Sequence, residues 1–190
     1  MKMKVLGIDP SINSTGLCIN IDDKRYKYYI ITNKQNCTKK FLKEIEEHPP
    51  KDITYLFYDK NKNDTNYNVK EVCKLQNFVG IMENIKYVLR KEKPDVVYME
   101  GISYGSGNSS ALADLAGLNF MIRYTVYEHF KTYNINIVSP KELKSRSCGN
   151  GNASKEEMVY LWFKCDKKME AYKHLKVDDL ADAYFLTRYV

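Results

Sequence analysis

The sequence predicts an α/β protein built on a mixed sheet with helices on both faces. Three observations carry that prediction. Three short β-rich apolar runs follow one another within the first 33 residues, which makes an antiparallel meander. Two later apolar runs, over 96–99 and 135–138, alternate with long helical patterns, which makes parallel crossovers. Hydrophobic residues form 44% of the 190 and charged residues 28%, the balance of a globular chain rather than a disordered one.

The elements follow in order. Residues 5–8 are a buried strand that stops at the turn Asp9-Pro10-Ser11. A second strand covers 16–21 and a third 26–32, joined by the hairpin turn Asp22-Asp23-Lys24. The stretch 36–66 is polar and contains Pro49-Pro50. It reads as irregular, with room for a short helix near 38–47 and a strand near 53–58. From Asn68 to Lys91, apolar residues recur every three or four positions, from Val69 and Val72 to Val88 and Leu89, as on an amphipathic helix. The strand at 96–99 runs into Glu100, and a Gly/Ser loop over 101–108 follows it. The helix expected over 109–130 is apolar nearly all round, so it is either deeply buried or shared with a partner. The strand at 135–138 stops at Ser139-Pro140, a helical turn covers 139–146, and Cys148-Gly149-Asn150-Gly151-Asn152 is a loop. Helices over about 154–169 and 178–189 finish the chain. The expected sheet has five strands, in a single domain over 1–190.

Net charge is +6, which suits polyanionic partners, although AT-rich coding also enriches Lys. The sequence has no run of about 18 apolar residues, the length that spans a membrane. The first apolar run is too short for a signal peptide, so the chain is read as not secreted. The cysteines Cys18, Cys37, Cys73, Cys148 and Cys165 are scattered and odd in number. They read as free thiols of a reducing, cytoplasmic compartment.

The chemistry lies in carboxylates. Asp9 and Glu100 each end a strand. If those strands are parallel neighbours, both acids reach one crevice at the carboxyl end of the sheet. Asp179 and Asp182, three apart, share a helix face, while Asp178 sits where an N-cap is natural. Taken singly, each acid also fits a plain turn, surface or helix-end position. Together they form a set of hard oxygen ligands for Mg²⁺ or Mn²⁺.

Four blocks in order resemble the RuvC-type Holliday junction resolvases, nucleases of the RNase H-like fold. These are Leu6-Gly7-Ile8-Asp9-Pro10-Ser11 with Thr15-Gly16; Tyr98-Met99-Glu100 with Ser110-Ala111-Leu112; Leu143-Lys144 with Lys155; and Val177-Asp178-Asp179-Leu180-Ala181-Asp182-Ala183. The resemblance implies a structure-selective endonuclease that resolves four-way DNA junctions and leaves 5′-phosphate and 3′-hydroxyl ends. It implies Asp9, Glu100, Asp179 and Asp182 as catalytic metal ligands for two Mg²⁺ ions, with Mn²⁺ able to substitute. It implies Lys144 and Lys155 as DNA-binding residues, Lys155 also acting in catalysis. The family's aromatic three residues after the second acid is Ser103 here, so the adjacent Tyr104 is the candidate to stack on an unpaired base. These departures and the 36–66 insertion point to a viral or phage branch, in which case the compartment is the host-cell cytoplasm.

Paired nicks need two acidic clusters, so a two-fold homodimer is expected. The helix over 109–130 is its expected interface, with Met121, Ile122 and Phe130 as candidates for the outward face. Two other readings fit the sequence. One is a kinase or ATPase of the actin-like fold, although Ser11 stands where that phosphate loop wants Gly. The other is a protein that binds junctions without cutting them.

Overall fold

A computed structural model describes all residues except 1–2, 23, 60–64, 103–108, 133, 176 and 190, and the side chain of Ser109. Among the described residues six strands form one sheet, in the order β4-β3-β2-β1-β5-β6. Strands β1 (Val5–Asp9), β2 (Ser14–Asp22) and β3 (Arg25–Asn33) are the antiparallel meander. Helix α1 (Lys39–Glu47) then crosses to β4 (Ile53–Tyr58), which pairs parallel to β3. Helix α2 (Tyr67–Glu92) leads to β5 (Val96–Glu100), parallel to β1, and α3 (Ser109–Phe130) to β6 (Ile135–Val138), parallel to β5. Helices α4 (Pro140–Cys148), α5 (Lys155–Cys165) and α6 (Asp179–Leu186) close the chain.

The expected mixed sheet with helices on both faces is present, with one correction: it has six strands, not five. The strand sketched near 53–58 covers the outer edge of β3, which would otherwise leave a row of unpaired backbone groups. The stretch 36–66 therefore contains an ordered crossover.

Alternation along the strands sorts side chains between two cores. Leu6, Ile8, Leu17, Ile19, Val97 and Met99 pack against α2 and α3. Cys18, Tyr28 and Ile30 pack on the other face against Trp162, Leu180 and Tyr184 of α5 and α6. Gly7 and Gly16 belong to this second face. A Cβ at Gly7 would run into the Ala183 carbonyl, and one at Gly16 into the Asp179 carbonyl. The two glycines thus let α6 lie directly on β1 and β2.

Helix α3 buries Leu118, Ile122 and Val126 completely. Of the residues expected to face outward, Ile122 is in the core, and Met121 and Phe130 pack against it. The exposed apolar residues of this layer instead include Phe120, Tyr124 and Tyr127 on α3 and Val72, Leu75 and Val79 on α2. Val79, Phe120 and Tyr124 among them form an apolar strip between the two helices, flanked by Glu83, Lys86 and Glu128. Among the described residues no helix is long and apolar enough to cross a membrane.

Candidate active site

The parallel pairing of β1 with β5 sets Ile8 opposite Met99, so Asp9 and Glu100, one step further on, end neighbouring strands together. Ile8 and Met99 point into the α2/α3 core, which turns Asp9 and Glu100 to the α6 face. There α6, seated on the glycines, brings Asp182. Ligand oxygens of Asp9, Glu100 and Asp182 lie within 4.8 Å of one another. Asp179, one helical turn earlier, lines the same crevice, a cavity of about 480 Å³ that also includes Lys144 and Lys155.

The two lysines arrive through helix caps. Ser139 caps α4, which carries Lys144. Gly149 ends α4 in the left-handed region at φ 72°, and a short turn leads to Ser154, whose capping box with Glu157 starts α5 at Lys155. The N–H groups of Gly149, Asn152 and Ala153 already donate within this segment. Lys155 Nζ sits 2.7 Å from Asp178 and 3.0 Å from Asp179. Asp178 makes no side-chain cap on α6, contrary to the expectation. Its position takes helical backbone angles, and its carboxylate turns to Lys155 instead.

Like charges in a buried crevice disfavour ionisation. Burial, then the charges of Glu100, Asp182 and Asp179, push the Asp9 carboxyl well above the usual carboxylate range. Burial also raises Glu100. Burial and the Glu100 charge push Asp182 up to about 7. For Lys155, burial opposes its charge, but the hydrogen bonds and charges of Asp178 and Asp179 outweigh it and hold the ammonium above its ordinary range.

The sequence reading missed Asn119. It is 1% exposed, and its Nδ2 donates to the Glu100 carbonyl at 3.2 Å, pinning the end of β5. A lone amide within the apolar run Leu118-Asn119-Phe120 was the available signal. Tyr104 lies outside the described residues.

Two buried acceptors, Asp182 Oδ1 and Asn119 Oδ1, have no hydrogen-bond partner among the described residues, and both residues line the crevice. Orphaned acceptors beside converging carboxylates are the donor set a hard divalent cation satisfies. Asp9, Glu100 and Asp182, with Asp179 adjacent, therefore fit such an ion.

Solved structures with this architecture exist. Thermus thermophilus RuvC matches at a TM-score of 0.55 and 19% identity, over 97% of this chain and 91% of that one. The same protein in complex with a Holliday junction substrate matches at 0.57 and 16%, over 98% and 91%. This chain has the RuvC-type fold. The yeast mitochondrial Holliday junction resolvase Ydc2 matches at 0.53 and 18%, over 97% and 76%. No family model matches the chain, and no curated protein does.

Proposed function

We propose that this chain is a divalent-metal-dependent endonuclease that resolves four-way DNA junctions, acting as one nuclease domain over 1–190. The observation that carries the reading is the convergence of Asp9, Glu100 and Asp182 from two strand ends and a helix. The fold it shares with solved junction resolvases supports it.

In this reading Asp9, Glu100, Asp179 and Asp182 hold Mg²⁺, with Mn²⁺ able to replace it. Bound there, such ions supply Lewis-acid polarisation of a phosphoryl oxygen and acidify an attacking water. The chain's own groups do the rest. Lys144 and Lys155 draw a phosphate to the crevice, and Lys155 offsets charge that develops on its oxygens. In the free protein Lys155 is held by Asp178 and Asp179, so its ammonium is already oriented when a phosphate arrives. Asn119 keeps Glu100 aimed from the end of β5.

Two nicks in one encounter need two such crevices, and one acidic group of this kind is found among the described residues. The active form is therefore a homodimer, for which the apolar strip of α2 and α3 supplies a face. The free cysteines fit a reducing compartment.

The test is a labelled four-way junction incubated with and without Mg²⁺, with both cut strands mapped. Asp9→Asn should lower cleavage by about a thousandfold, equivalent to about 4 kcal/mol of lost charge stabilisation. Junction binding, which comes from cationic contacts to phosphates, should remain. Near wild-type cleavage by Asp9→Asn would remove the metal site from the mechanism. Tight binding with no Mg²⁺-dependent product would favour a protein that binds without cutting, and ATP turnover without DNA would favour the actin-like reading.

A further inference from the structure

We propose that the cavity between α1 and the start of α6 is a nucleobase pocket, through which junction DNA is read beside the cut. This rests on the nuclease reading of the neighbouring crevice. The cavity measures about 440 Å³, within the roughly 300–1,000 Å³ of ordinary ligand sites. Asp179 lines both it and the catalytic crevice, so the two spaces adjoin at one residue. A strand whose phosphate lies at Asp9, Glu100 and Asp182 therefore has an adjacent nucleotide within reach of the cavity.

The lining selects a base rather than a phosphate. Glu44, Asp178 and Asp179 border the cavity and already engage the nearby basic nitrogens, His174 at 3.2 Å and Lys155 at 2.7 and 3.0 Å, which leaves those nitrogens less to offer an anion. What remains attractive is aromatic and amide surface. Phe41 stands edge-on to Tyr55, with ring centroids 5.4 Å apart at 78°. The Tyr55 hydroxyl is buried with no hydrogen-bond partner among the described residues. A buried donor in that state gains most from a ligand acceptor or a trapped water. At the rim Asn36 Nδ2 donates to Asn13 Oδ1 at 3.3 Å, which holds the two amides side by side with the Asn36 Oδ1 acceptor and the Asn13 Nδ2 donor turned outward from that bond. An amide carries a donor and an acceptor together, the arrangement that matches the edge of a base. Lys40, exposed at the same rim, is placed to meet the flanking backbone.

The wall of this pocket is made by the crossover of α1 and β4, the polar stretch that otherwise has no part in the acidic site. An extrahelical base is least demanding to supply where stacking is already broken, as at the centre of a junction. The crossover is thus a specificity device attached to the cutting site.

The experiment uses the full chain in Mg²⁺ on four-way junctions whose bases around the centre are randomised, with the cut products sequenced. The wild type should favour particular bases at one position beside the cut. Cys37→Phe, which fills the pocket, and Asn36→Ala, which removes an amide at its rim, should each reduce the ratio between the best and worst base there by about tenfold. Should Cys37→Phe unfold, Asn36→Ala carries the test, since that side chain lies on the surface. A wild type that cuts junctions with no base preference beside the cut, or variants that keep the wild-type preference, would overturn the pocket and leave the nuclease standing. A wild type that neither binds nor cuts junctions would overturn both.

Discussion

Asp182 is half-buried with one inaccessible, orphaned oxygen, and its carboxyl is pushed up to about 7. A carboxyl whose folded value exceeds its ordinary value of 3.8 is most favourable when protonated. Stability contributed in that state is complete below about pH 4 and is lost as pH rises toward 7. The metal-free protein should therefore melt at lower temperature at pH 8 than at pH 5 on account of this cluster. Mg²⁺ should restore the difference, with a larger thermal shift at pH 8. Asp182→Asn should raise the melting temperature of the metal-free protein at pH 8 by about 3 °C or more and abolish the Mg²⁺ shift. Calorimetry at the two pH values checks both, and an unchanged metal-free melting temperature in the variant would show that the carboxylate carries no strain. For the lysines the readout is the salt dependence of junction binding. Lys144→Ala and Lys155→Ala should each reduce the slope of log K against log salt by about 0.9, the value of one phosphate contact. If neither slope moves, both are ordinary surface cations.

At the level of elements, the site depends on how closely α6 approaches the sheet. Gly16→Ala places a methyl on the Asp179 carbonyl, so the helix must lift. The expected loss is about 1–3 kcal/mol, a drop in melting temperature of several degrees, together with a larger loss of cleavage because Asp179 and Asp182 move with the helix. Retained cleavage would mean that the acids tolerate that displacement. Much of this was legible in the sequence. The strand ends at Asp9 and Glu100 follow from apolar runs that stop at acids, and the pairing of Asp179 with Asp182 follows from helical spacing. The sixth strand was harder to count, because Ile53–Tyr58 is short and lies between a Pro-Pro pair and an Asn-rich run. What makes it a strand is the free edge of β3, a tertiary fact. The ion pair of Asp178 with Lys155 was hidden for the same reason: the partners are 23 positions apart and meet only once α5 packs beside α6.

At the scale of the whole molecule, assembly turns on which residues of α3 face outward. An apolar helix has two ways to be apolar all round, and spacing alone did not say which residues of α3 face out. Packing on the sheet takes Ile122, and Phe120 and Tyr124 are left 60% and 65% exposed. Tyr124→Glu should leave a folded 22 kDa particle in sedimentation equilibrium at micromolar concentration, and on a junction it should release singly nicked intermediates before full resolution. A wild type that sediments as a monomer on and off the junction would end the dimer proposal. The acidic site itself is drawn from distant parts of the chain: Asp9 lies on the first strand, and Asp182 on the last helix, pressed onto glycines of β1 and β2. A polypeptide still emerging from the ribosome, or one clipped before α6, therefore has Asp9 and Glu100 but no Asp182 beside them. On the nuclease reading, cutting competence would arrive only once α6 has been made and has folded onto the sheet, so copies that stop short of it would leave DNA intact.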